Sequence, residues 1–220
     1  MRRTLRDNGL STVMFGLFAL FLVGMSLAGQ RQYNEEQAAH GEESVSYVGY
    51  VQTGHFVEAV FENWESEFLQ MGGFVLLTVF LFQKGSPESK KPGGDEPEDE
   101  DPRTSERDDA PWLVRTGGVK LWLYERSLSI ALFTLFFLSF ALHAAGGARE
   151  YSSEQEAHGG SAVSIPGYLR TSQFWFESLQ NWQSEFLAVG ALVVLSIYLR
   201  QRGSPESKPV AAAHTETGTG

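Results

Sequence analysis

Apolar residues gather in four runs along an otherwise polar chain. Two of them, 10–29 (LSTVMFGLFALFLVGMSLAG) and 127–148 (SLSIALFTLFFLSFALHAAGGA), contain no Lys, Arg, Asp or Glu. As helices they are roughly 30 Å long, the thickness of a bilayer's hydrocarbon core. The other two, 68–83 and 186–199, are bounded by charge: Glu67 and Lys84 flank one, Glu185 and Arg200 the other. They reach only about 21–24 Å as helices, so bilayer thinning, snorkelling arginines or the preceding residues must make up the difference. The preceding residues carry a helical stripe, Val57, Phe61, Trp64 and Phe68, and the later run keeps Leu179, Trp182 and Phe186. The pattern predicts an all-α integral membrane protein with four transmembrane helices, at about 10–30, 60–83, 122–148 and 178–200. Arg2, Arg3 and Arg6 followed by Ser26-Leu27-Ala28 also suit a cleaved signal peptide. A counterpart of the same run in mid-chain favours a retained span.

That counterpart belongs to a duplication. Shifted by 118 residues, 10–90 falls on 128–208 without a gap, with about 37 identities in 81 positions. The matches include Arg31/Arg149, Tyr33/Tyr151, His40-Gly41/His158-Gly159, Asn63-Trp64/Asn181-Trp182 and the Gly-Ser-Pro-Glu-Ser-Lys segments at 85–90 and 203–208. Each copy holds two spans, so both enter the membrane the same way round, as parallel-repeat helical hairpins with pseudo-twofold symmetry. The expected organisation is a first two-span repeat over 1–90, a disordered acidic linker over 91–118, a second repeat over 119–208 and a disordered tail over 209–220. The linker is rich in Pro, Gly, Asp and Glu and cannot bury a core.

Charge then orients the chain. With the termini inside, the tails and linker hold 14 of the 17 Lys and Arg, and the two opposite loops hold only Arg31, Arg149 and Arg170. By the positive-inside rule both termini are cytoplasmic, in a multi-pass membrane protein. Acidic residues divide 14 inside and 13 outside, so the net charge of −10 belongs to the outer side. Such a face concentrates cations and repels anions over about a Debye length.

Candidate chemistry follows the repeats. Asn63 and Glu67, like Asn181 and Glu185, lie four residues apart on one helix face, at the outer end of the short spans. A carboxylate at that depth needs a partner, and Arg31 and Arg149 stand just past the ends of the other two spans, which predicts Arg–Glu pairs. Trp64 and Trp182 suit interfacial anchors. Beyond the long spans the chain reads RQYNEEQAAHG and REYSSEQEAHG. If helical, Tyr33, Glu36, Gln37 and His40 share a face, Gly41 ends the helix, and Glu154 and His158 repeat the arrangement. Imidazole with carboxylate can hold zinc, manganese or iron, can relay protons, or can simply organise a loop. Glu36, His40, Glu154 and His158 are thus weak metal candidates, and no cofactor is strongly implied.

Several classes drop out. With no cysteine there is no disulfide, thiolate metal site or thiol nucleophile. No glycine-rich phosphate loop or basic patch supports nucleotide or nucleic-acid binding. Ser66 and Ser184 lie in no catalytic context, which weighs against an enzyme. The paired R-x-Y-x2-E-Q-x2-H-G, N-W-x-S-E-F-L and G-S-P-E-S-K segments resemble an uncharacterised family of bacterial membrane proteins, a domain of unknown function. The resemblance implies a bacterial inner-membrane location and no established activity, cofactor or partner. The expected partners are the lipid bilayer, cations and further copies of the chain. Two functional readings stay open: a cation- or proton-handling transport protein with an acidic outer vestibule, and a structural or interaction protein of the envelope. A membrane metal-binding protein is the third.

Overall fold

The computed structural model describes residues 7–93, 96–105 and 109–218. Arg2, Arg3 and Arg6, on which part of the orientation and the signal-peptide alternative rest, lie outside the described residues. Those described are helical or irregular, with no strand among them. In chain order the helices are α1 (Gly9–Ala39), α2 (Tyr47–Tyr50), α3 (Gly54–Phe80), α4 (Trp112–Thr116), α5 (Gly118–Glu125), α6 (Ser127–Ala157), α7 (Ile165–Tyr168) and α8 (Ser172–Tyr198). The bounds of α1, α2 and α3 recur in α6, α7 and α8 at the 118-residue offset of the sequence repeat. In the linker the described residues form 3-10 turns at Pro97–Asp99 and Pro102–Thr104, each opened by proline, whose fixed φ suits a first helical position.

Two helices, α1 and α6, are long and apolar enough to cross a membrane. They point to a membrane protein. Along α1 only Ser26 is buried, while Leu10, Phe15 and Phe21 are 75 %, 72 % and 67 % exposed. A helix apolar on every side with little protein covering it suits a lipid environment and not water. The four expected spans are therefore reduced to two by this measure. The reason is visible in α3, whose first half carries Glu58, Glu62, Glu65 and Glu67, and in α8, which carries Glu177 and Glu185. Both helices also start earlier than the expected spans and stop a few residues short of the Gly-Ser-Pro turns.

By compactness the chain divides into two units, Met1–Phe61 with Leu142–Thr171, and Glu62–Ala141 with Ser172–Gly220. The first is organised by glycines that bring backbones together. A Cβ on Gly54 would stand 2.7 Å from both the Glu150 nitrogen and the Gly146 oxygen, and one on Gly146 would stand 2.6 Å from the Glu58 nitrogen. Helices can approach this closely only where neither presents a side chain. Gly29 and Gly147 make room for the buried Tyr50 and Tyr168 hydroxyls in the same way.

The loops of this unit explain much of the duplication. Asn34 both donates to and accepts from the backbone of Val45, and its twin Ser152 does the same for Val163. Ser46 and Ser164 cap α2 and α7 by accepting from the amides of Gly49 and Gly167. Thr53 and Thr171 donate to the carbonyls of Tyr50 and Tyr168. In the second unit, aromatic edges meet at Phe140–Phe174, Phe136–Trp182 and Trp175–Trp182.

Glycine crossings of this kind are sensitive to one methyl group. Gly146→Ala should cost about 3 kcal/mol through forced separation of two backbones, or roughly 6–12 °C of melting temperature for a chain of this size. Gly24→Ala, at a helical glycine with open space around it, should leave the melting temperature unchanged or slightly raised. Thermal unfolding of the purified protein in detergent compares the two. Equal effects would contradict the crossing.

Candidate functional site

The second half of each RxYxxEQxxHG segment is the last turn of a long helix. α1 runs to Ala39, the His40 amide donates to the Glu36 carbonyl, and Gly41 takes a φ of +77°, the left-handed conformation that ends a helix cheaply only at glycine. The twin ends at Ala157 with Gly159 at +80°. This is the helix and stop that the sequence spacing predicts.

At these helix ends lies a cavity of about 390 Å3 lined by Tyr33, Glu36, Gln37, His40, Glu42, Glu150, Ser153, Glu154, Ala157 and His158. Four carboxylates and two imidazoles thus share one space, and among the described residues no Lys or Arg lines it. The structure brings Glu36, His40, Glu154 and His158 together, as the repeat suggests. Each imidazole is held alike: Nδ1 of His40 lies 2.9 Å from the Glu36 carbonyl, and Nδ1 of His158 lies 2.8 Å from that of Glu154. A carbonyl only accepts, so Nδ1 carries the proton, and in the neutral ring Nε2 keeps the lone pair for a proton or a metal. Two carboxylates are held by amides: Gln32 Nε2 donates to Glu36 at 3.1 Å and Gln37 Nε2 to Glu42 at 2.7 Å.

Glu150 ties the cavity to the buried part of this unit. Its Oε2 accepts the His55 backbone N–H at 3.0 Å, satisfying an amide in the first turn of α3 that has no partner within its own helix. The His55 ring lies against Tyr33 and Tyr50, and its Nδ1 is 3.2 Å from the Tyr50 hydroxyl. Burial, followed by the negative charge of Glu150 and Glu36, pushes the Tyr50 phenol above the usual tyrosine range. Nearby, the Tyr168 hydroxyl donates to Glu58 Oε1 at 2.9 Å, and the fully buried His143 has a ring nitrogen within 4.8 Å of a Glu58 oxygen.

The remaining expected site residues lie elsewhere. Arg31 and Arg149 are exposed in the first unit, and Arg149 Nε reaches back to the Ala145 carbonyl of its own helix at 3.4 Å. Asn63, Glu67, Asn181 and Glu185 belong to the second unit, where Asn63 and Glu67 are exposed, Asn181 and Glu185 are half-buried, and Glu67 feels the charge of Glu185. Trp64 is half-buried. Trp182 donates its indole N–H at 3.1 Å to Glu65, a fully buried carboxylate. Sequence reasoning passed over Glu58, Glu65, His55 and Glu150. All four share one signal, since their twins are Phe176, Gln183, Gln173 and Gln32. They are places where the copies disagree.

The chain belongs to the family described as a domain of unknown function, DUF6766, whose model matches residues 1–219. No curated protein and no solved structure matches it.

The raised Tyr50 phenol gives a signed pH dependence. A group that binds its proton more tightly in the fold contributes stability that is complete below the unfolded value, near 10, and is lost as pH rises through the folded value. An ultraviolet difference titration against Tyr50→Phe isolates this phenol, and Glu150→Gln should move its midpoint down. A Tyr50 midpoint at or below that of an unfolded tyrosine would contradict the arrangement.

Proposed function

We propose that this is a cation- or proton-handling protein of the bacterial inner membrane, working through an acidic vestibule on the outer side. The observation that carries the reading is the cavity with Glu36, Glu42, Glu150, Glu154, His40 and His158 on its walls and no Lys or Arg among them. Four carboxylates in one space repel one another unless protons or cations offset them. In this reading all four long helices cross the membrane as two parallel hairpins with pseudo-twofold symmetry and both termini cytoplasmic. The matching helix bounds of the two copies and the distribution of Lys and Arg support it. A single chain has little room for a pore, so transport would run through a homo-oligomer.

A second reading, a structural or interaction protein of the envelope, is favoured by one observation: each imidazole already fastens its own helix end. In a third, the protein holds a divalent metal through His40, His158, Glu36 and Glu154.

Flux of protons and cations in liposomes containing the purified protein separates these. On the first reading, Glu36→Gln with Glu154→Gln lowers flux at least tenfold, and Glu67→Gln with Glu185→Gln lowers it as well. Flux unchanged in both double variants, with only the melting temperature lowered, would leave the structural reading standing. Stoichiometric metal in the purified protein, by elemental analysis, would favour the third.

A further inference from the structure

The Gly-Ser-Pro-Glu-Ser-Lys segments at 85–90 and 203–208 fold alike within the second unit. Gly85 and Gly203 take φ of +88° and +87°. Ser86 and Ser204 accept from the amides of Glu88 and Glu206, and Ser89 and Ser207 accept from those of Gln83 and Gln201. These bonds account for the duplicated serines as turn formers.

The surroundings of the two turns are unequal. A Cβ on Gly203 would meet nothing within 4 Å, whereas one on Gly85 would stand 2.5 Å from the carbonyl oxygen of His214. The covering element at Gly85 is the chain's own segment 212–218. The Gly85 amide donates to Thr217 Oγ1 at 2.8 Å, and the Gly218 amide donates to the Ser86 carbonyl at 3.0 Å. The segment is anchored at its other side by Lys208, only 2 % exposed, whose ammonium donates to the carbonyls of Ala213, His214 and Glu216 at 3.1, 3.1 and 2.9 Å. Arg200 adds a bond to the Ala212 carbonyl at 3.1 Å, and His214 Nδ1 donates to the Ile197 carbonyl at 3.0 Å. Three carbonyls match the three protons of one ammonium. Lys90, the twin of Lys208, is spent on Asp99 at 2.6 Å.

We propose that segment 212–218 is a strap latched by Lys208: it joins the second turn to the first, covers the backbone N–H of Gly85 and C=O of Ser86, and uncovers them when the latch is lost. The contacts at the first turn are addressed to main-chain groups, so the strap acts as a ligand in cis for a surface whose twin stands open. This inference is independent of the proposed function.

The chain has no cysteine, so a single thiol reports strap position cleanly. Thr217 is buried and Thr215 exposed. In the full chain, Thr217→Cys should react with a maleimide at least tenfold more slowly than Thr215→Cys. Adding Lys208→Gln or Lys208→Met should bring the Thr217→Cys rate up to that of Thr215→Cys. Equal rates for the two thiols with Lys208 intact would overturn the strap. A slow Thr217→Cys thiol that stays slow in folded Lys208→Gln protein would overturn the latch. Should the Lys208 variants fail to fold, the comparison with Lys208 intact still decides the strap.

Discussion

The first compact unit depends on one close approach, the backbone of α3 at Gly54 against the backbone of α6 at Gly146. A backbone-to-backbone contact of this kind needs positions without a side chain. Glycine at both positions allows that. The approach places the Glu150 amide within van der Waals reach of Gly54 and lets the Glu150 carboxylate accept from His55 in the first turn of α3. The carboxylate faces the positive end of the helix dipole there, which offsets part of the cost of its charge. From that capped end, His55 reaches Tyr50, and Tyr50 fills the space left by Gly29.

The cavity inherits its electrostatics from this packing. Glu150 serves both as the cap of α3 and as a wall of the cavity, where it shares space with Glu36 and Glu154. Its position is set by the backbone N–H of His55 that it accepts. Glu150 feels the negative charge of Glu154 and Glu36 there.

Much of the fold was legible in the sequence. The uncharged runs mark α1 and α6, and the spacing of Tyr33, Glu36, Gln37 and His40 before Gly41 marks the helix that continues past the apolar run. The twin copies of Ser46, Tyr50 and Thr53 serve the loop's own hydrogen bonds. Identity between the copies therefore reports what each half needs to fold. Glu58, Glu65, His55, His143 and Glu150 were not legible by that route, because each is present in one copy only. The positions where the two segments differ therefore carry information of their own, as the fully buried Glu65 and His143 show. The role of Lys208 was hidden for another reason. Its three carbonyl partners are main-chain groups, which leave no pattern of side chains behind.

The most direct test of the glycine crossing is hydrogen exchange at the His55 amide, which has no partner in its own helix and depends on Glu150. The account predicts strong protection in the native protein, at least a hundredfold over an open chain, and its loss in Gly146→Ala. An unprotected His55 amide in the native protein, or one equally protected in the variant, would contradict it.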